Sequence, residues 1–437
     1  MNKDQIRHQI LELVDEYAKH EFNDTIFVGG QTVIPPSGKL LGASELRNLV
    51  EASLDGWLTA GRFNEQFEAK LASFIGVDHL ITVNSGSSAN LVAFNTLTSP
   101  KLGDRRIKKG DEIIGVAAGF PTTVNPIIQF GAVPVFVDVE MDTHNINADL
   151  IESAITSKTK GIMLAHTLGN PFNCRKIRDI CDKHGLWLIE DCCDALGATY
   201  DGKMVGTWGD IGTLSFYPAH HITMGEGGAV FTNDPELKVI AESFRDWGRD
   251  CYCPPGKDNT CGRRFDQTLG SLPPGYDHKY VYSHLGYNLK ITDMQAAVGL
   301  AQLDRLEDFI AARRSNFKYL ESKLESLSDY IDIAKPTLNS DPSWFGFPVT
   351  LKDTVGATRV EVTRYLDQYN VGSRLLFAGN LINQPYFEGV NFRLASALDN
   401  TDKTMKDTFW LGVQPALNEV HLDFVASKLE EFFGVGF

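Results

Sequence analysis

The chain has 437 residues, with 56 acidic side chains against 41 lysines and arginines and a net charge of −15. Hydrophobic residues make up 43% and charged residues 22%, which is globular usage and excludes disordered, collagenous and low-complexity classes. The acidic balance argues against a surface for nucleic acid or anionic lipid, and no apolar run approaches the about 18 residues of a membrane span.

In chain order, residues 1–22 carry charges throughout and do not read as a signal peptide. Ile6, Ile10, Leu13, Val14 and Tyr17 recur at helical spacing, which predicts an amphipathic helix packed by that face. A cytoplasmic protein is expected, and seven cysteines in a reducing compartment are not a disulfide framework. Gly29, Gly30, Pro35, Pro36 and Gly38 then mark a loop. From about residue 45, β-branched apolar runs at His79–Val83, Glu112–Ala117, Pro134–Val139, Gly161–His166, Trp187–Asp191, Gly212–Phe216 and Gly228–Thr232 alternate with helical patterns such as Asn64–Ile75, Ser87–Leu97 and Lys176–His184. This alternation predicts an α/β layer around a mostly parallel, buried sheet flanked by helices.

Residues 251–282 break the pattern with Gly, Pro and Cys, and a loop of that length in a folded domain is commonly functional. A long helical pattern runs from Thr292 to about Leu327, and another closes the chain at about Val420–Phe433. The expected organisation is an N-terminal helix and extension over 1–40, a large domain over 41–310 with the Cys-rich loop at 250–282, and a smaller C-terminal α+β domain over 311–437.

Three segments carry chemistry. Asn84-Ser85-Gly86-Ser87-Ser88-Ala89-Asn90 follows a strand and opens a helix, so its backbone N–H groups can bind a phosphate; a Ser-capped helix gives the same pattern. Trp187–Asp191 is a buried strand ending in a carboxylate, where open α/β sheets bind ligands; a helix N-cap is the plainer use of such an Asp. Thr213–Gly228 carries Ser215-Phe216-Tyr217-Pro218-Ala219-His220 and Gly225-Glu226-Gly227-Gly228. Together these resemble the fold-type I pyridoxal-phosphate enzymes, specifically the nucleotide-sugar aminotransferases, over roughly residues 45–430. Phe120, which in that family stacks on the cofactor, Gly286-Tyr287-Asn288 and Thr292–Ala297 extend the resemblance. It implies cofactor contacts from Gly86, Ser87, Phe120, Asp191 and Ser215. It also implies a homodimer in which Asn288 reaches the neighbour's cofactor phosphate.

One position departs. His220 stands where the family carries its Schiff-base lysine, and no lysine lies between Lys203 and Lys238. An imidazole cannot bond the aldehyde form of the cofactor stably, so the expected cofactor is non-covalent pyridoxamine 5′-phosphate (PMP), with His220 as acid–base catalyst. By resemblance this substitution marks the 3-dehydrases of dideoxysugar formation. Asp194, Tyr217 and Phe345 also depart from the aminotransferase pattern.

Cys193-x57-Cys251-x-Cys253-x7-Cys261 offers four thiolates, which suit zinc or an iron–sulfur centre about equally by spacing. Cys192 is the rival fourth ligand, and Cys174 and Cys181 read as packing residues. The pattern resembles the [2Fe–2S] subfamily of 3-dehydrases, whose substrate is CDP-4-keto-6-deoxyglucose. That resemblance implies an NADH-dependent flavin or iron–sulfur reductase as partner, since the chain shows no Gly-x-Gly-x-x-Gly turn after a strand. The alternatives are a lysine-free dehydratase without a cluster and a non-catalytic binding protein on the same scaffold.

Overall fold

Apolar runs bounded by turn residues favour strands buried on both faces, and here they pair into one eight-stranded sheet. The computed structural model describes residues 1–22, 26–251, 253, 258–260, 262–267 and 269–435. In spatial order the sheet runs His79–Val83, Gly228–Thr232, Ile211–Ser215, Trp187–Asp191, Thr159–Ala165, Glu112–Gly115, Val133–Phe136 and Arg393–Leu394. Only Gly228–Thr232 opposes its two neighbours; the other pairings are parallel. The strands Trp187–Asp191, Ile211–Ser215 and Gly228–Thr232 are buried along their whole length.

The reversal matters for function. Ile211–Ser215 and Gly228–Thr232 form an antiparallel pair in which Ser215 faces Gly228. The excursion between them, 216–227, is therefore pinned at both ends. Phe216 N–H donates to Gly227 C=O (2.8 Å) and Met224 N–H to Phe216 C=O (2.9 Å). Phe216 is fully buried and meets Phe67 edge-on at 5.3 Å. Burying such a ring contributes about 1.5–3 kcal/mol, so the loop that carries His220 is anchored by the core.

The helix Asp293–Leu303 secures a second element. Its N-cap Thr292 forms a capping box with Gln295, while the buried Asp293 carboxylate accepts from Gly61, Phe63 and Asn64 N–H (2.9, 3.2 and 2.8 Å). One helix thus caps the start of another, Arg62–Ile75, an arrangement whose loss costs about 0.5–2 kcal/mol. The predicted long helix breaks after Leu303 and resumes at Leu306–Lys323. A second, four-stranded antiparallel sheet orders Ile331–Ile333, Gly346–Leu351, Thr408–Gly412 and Ser373–Leu375. Its core stacks Phe317 on Trp344 at 3.9 Å.

The first helix, Lys3–Glu21, packs by a face that takes in only part of the predicted one, with Ile10 and Val14 half-buried. Leu11 and Ala18 are buried, whereas Ile6, Leu13 and Tyr17 are exposed, Leu13 to 70%. Ion pairs set the rotation: Arg7 bonds Glu51 and Asp55, and Arg47 bonds Asp15. Apolar residues lie on several sides of this helix, so periodicity alone did not select the buried one. Among the described residues no helix is long and apolar enough to cross a membrane.

Candidate active site

A cleft of about 580 Å³ opens at the C-terminal ends of the parallel strands, where this sheet type places ligands. Gly86, Ser87, Phe120, Asp191, Ser215 and His220 all line it, as do Cys193, Asp194, Tyr217 and Phe345. Asn288 does not: its side chain accepts from Lys290 Nζ (3.0 Å) and its backbone pairs with Asp246.

At one end the helix Gly86–Thr96 begins, capped by Ser85, whose Oγ accepts from Ser88 N–H. Gly86 is required by contact: a Cβ there would lie 2.4 Å from Ser215 Cβ and 3.0 Å from Cys193 Sγ. The result is a narrow cradle of backbone N–H groups flanked by the Ser87 and Ser215 hydroxyls, suited to an anion. Gly86→Ala is expected to push Ser215 outward and weaken PMP binding about tenfold or more, from the usual cost of overpacking. Fluorescence titration with PMP checks this.

Asp191 ends its strand on the cleft floor and is buried. Its Oδ2 accepts from Asn90 Nδ2 and Thr123 Oγ1, both at 2.7 Å, and its Oδ1 from Cys193 N–H at 3.1 Å. Thr213 Oγ1 in turn donates to Asn90 Oδ1 (2.7 Å). These are neutral donors, and among the described residues no cation pairs with Asp191. A buried carboxylate without a counter-ion suits a positively charged ligand group. The sequence reading missed Asn90, Thr123 and Thr213. The available signal was a polar Asn inside the apolar helix run Ala89–Phe94, which must find a partner when buried. Phe120 leaves half its surface (50%) open to the cleft and meets Phe377 edge-on, so it presents an aromatic face.

His220 Nδ1 lies 3.3 Å from Asp194 Oδ1, close enough for charge pairing but misaligned for a hydrogen bond. Its ring is 5.3 Å from that of Phe345. The backbone is held from the far side by Arg313, a buried guanidinium that donates to the carbonyls of His220 (3.4 Å), Trp344 (3.3 Å) and Phe345 (3.1 Å). Burial lowers Arg313 to about 10, partly offset by Asp194. The neighbouring His221 points elsewhere: it is buried, it bonds Ser343 C=O (2.9 Å), and burial with Arg313 nearby lowers it well below the usual imidazole value. Among the described residues no lysine lines the cleft.

The cysteines divide. Cys193 faces the cleft, and desolvation of its sulfur beside Asp191 pushes the thiol well above its usual value. Cys192 is buried in the core, with Sγ 3.6 Å from Glu190 C=O. Cys251 and Cys253 line another cavity, of about 640 Å³, with Arg62, Arg245 and Asp246. The linings of the two cavities share no residue. Cys261 lies outside the described residues. Among the described residues the predicted four-thiolate set is therefore not gathered within one chain, because Cys193 and the Cys251–Cys253 pair belong to different cavities. The grouping with metal-ligand spacing is instead His166, Cys174 and Glu190. It is buried and already satisfied: His166 bonds Glu190 (3.0 Å), Gly206 N–H donates to Glu190 (2.9 Å), and Cys174 donates to Phe172 C=O. Cys174 and Cys181 are both core residues.

Comparison with known proteins places this geometry. The profile of the DegT/DnrJ/EryC1/StrS aminotransferase family matches residues 40–430. The lipopolysaccharide biosynthesis protein RfbH of Salmonella typhimurium is 64% identical over 437 residues, 100% of each chain. The dTDP-4-dehydro-2,6-dideoxy-D-glucose 3-dehydratase of Saccharopolyspora spinosa is 51% identical, over 98% of this chain and 92% of its own. Among solved structures, the E. coli GDP-4-keto-6-deoxy-D-mannose-3-dehydratase with bound hydrated PLP superposes with a TM-score of 0.82 at 29% identity, covering 91% of this chain and 100% of that one. With the phosphate-type cradle, the strand-end aspartate and the pinned His220 loop on one sheet, the chain has the fold-type I architecture and belongs to the DegT/DnrJ/EryC1/StrS aminotransferase family.

Proposed function

We propose that the chain is a nucleotide-sugar 3-dehydratase that uses PMP, the amine form of pyridoxal phosphate (PLP), without a covalent bond to the protein. The observation that carries the reading is the pairing of His220 with Asp194 in a cleft that, among the described residues, no lysine lines. The residues present fit such a cofactor: the Gly86 cradle for its phosphate, the open face of Phe120 for its ring, and Asp191, which lacks a cation, for its ring nitrogen. When bound, the cofactor supplies an amine for a C4 ketone and a conjugated ring that accepts electrons. The helix N-terminus with Ser87 and Ser215 anchors the phosphate, and Asp191 keeps the ring nitrogen protonated. His220 moves the proton at C4′, with Asp194 facing the imidazolium that forms.

The finer parts of the proposal rest on sequence resemblance. They are a CDP-linked 4-keto-6-deoxyglucose substrate, a cytoplasmic setting, a [2Fe–2S] centre on Cys193, Cys251, Cys253 and Cys261, and an NADH-dependent reductase docking near that loop. A homodimer would place Asn288 against the neighbour's cofactor phosphate. The exposed Tyr280, Tyr282 and Leu285, the last 94% exposed, support an apolar contact on that side. Because one chain does not gather the cysteines among its described residues, a cluster needs this loop from a second copy or in a different position.

The test is product analysis with CDP-, dTDP- and GDP-linked 4-keto-6-deoxy sugars, PMP, NADH and an added flavin or iron–sulfur reductase under anaerobic conditions. Loss of the C3 hydroxyl is expected; an amino sugar as product, or no turnover with any of them, overturns the reading. Iron content checks the cysteine set. Cys193→Ser, Cys251→Ser, Cys253→Ser and Cys261→Ser should each lower it, while Cys174→Ser should not. Equal iron in all five variants removes the cluster from the proposal.

A further inference from the structure

The cleft that holds His220 has an electrostatic problem. Among the described residues its lining includes three carboxylates, Asp191, Asp194 and Glu226, and a single lysine or arginine, Arg374. A nucleotide sugar carries a diphosphate, and the cofactor's own phosphate already fills the Gly86 end on the reading above. An entering dianion would meet like charge unless a cation receives it.

Arg374 is free to do so. It lies on Ser373–Leu375, the edge strand of the smaller sheet, directly opposite Trp410. Its guanidinium makes one hydrogen bond, from an Nη to Ser373 C=O at 2.9 Å. No carboxylate pairs with it among the described residues, although most other arginines of the chain hold one or are buried against carbonyls. Arg374 is exposed and shares the cleft lining with Leu375, Phe377, Phe345 and Trp410, whose apolar surfaces do not satisfy its donors. A planar guanidinium with open donors is the side chain best matched to a phosphate fork.

The strand is also held in place from outside. The N-terminal extension meets the strand's start in a parallel bridge of Ile34 with Val371, with Gly372 N–H donating to Ile34 C=O (2.9 Å). Ser37, three residues on, lines the same cleft. The extension therefore fixes the backbone just before Arg374 and adds a hydroxyl at that end.

We propose that Arg374, with Ser37 on the same cleft lining, is the substrate-diphosphate anchor, carried on the second sheet and separate from the Gly86 cradle on the first. This rests on the nucleotide-sugar reading. The test uses PMP-loaded protein and calorimetric titration with CDP, dTDP and GDP, and with the corresponding nucleosides. Arg374→Gln should weaken binding of the preferred nucleoside diphosphate about 10–100-fold, the usual worth of a charge-assisted contact. Nucleoside binding and PMP affinity should stay unchanged, and Arg374→Lys should recover part of the loss. Unchanged diphosphate affinity in Arg374→Gln overturns the assignment but leaves the nucleotide-sugar reading standing. So does a loss that falls on PMP instead, which would make Arg374 a cofactor residue. Failure of the wild-type protein to bind any of the three diphosphates overturns both.

Discussion

His220→Asn is expected to slow proton transfer at the cofactor's C4′ carbon by about 10²–10⁴-fold, the usual worth of a positioned general base. Asparagine keeps a polar side chain of similar reach but cannot take up the proton. The cradle at Gly86, the Phe120 face and Asp191 belong to other elements, so PMP affinity should change little. The Arg313 grip is on the backbone carbonyl of residue 220 and survives the substitution, which keeps the loop in place. Deuterium exchange into C4′ of the bound cofactor, followed by mass spectrometry, measures the step. Exchange near the wild-type rate in the variant would show that another group moves this proton. The companion variant His220→Lys puts an amine where the aldehyde form of the cofactor can bond it, so a new visible absorption band with PLP is expected.

Asp191→Asn should slow the dehydration by about 10²–10³-fold, the scale of losing one oriented electrostatic partner in a desolvated site. Asn90, Thr123 and the Cys193 N–H hold the carboxylate through neutral donors, so its charge is uncompensated until a ligand supplies the opposite one. Removing that charge should leave the melting temperature of the cofactor-free protein unchanged or higher, since an unpaired buried carboxylate is itself costly. A fall in rate without a fall in stability separates this role from a structural one. Nitrogen NMR of the bound cofactor gives the direct readout. Equal protonation of its ring nitrogen in both proteins would assign Asp191 another task.

The cysteines and the first helix show where local patterns stop informing. Cys193, Cys251 and Cys253 have a spacing that suits four-thiolate ligation, yet Cys193 lines one cavity and the other two a different one. Sequence spacing constrains ligands only when the intervening chain is short, and 57 residues separate Cys193 from Cys251. On the first helix, apolar residues on several sides left the rotation to Arg7 and Arg47 and their carboxylate partners.

What the sequence by itself determined is what depends on near neighbours. Strand runs such as Trp187–Asp191 and Gly228–Thr232 were legible to the residue, because burial on both faces demands a continuous apolar segment between turns. The helix-opening turn at Asn84–Asn90 and the strand-end Asp191 were legible for the same reason, whereas the departure at His220 was legible only through resemblance to a family. Only the tertiary structure decided the partners. Asn90 and Thr123 meet at Asp191 from two different helices. Asp293 caps a helix more than two hundred residues earlier. Arg313 reaches from the helix Leu306–Lys323 to the carbonyl of His220. Arg374 comes into the cleft on the edge of the second sheet. A buried polar or charged group must find a partner, but which one it finds is set by how the layers stack, and no periodicity in the chain records that.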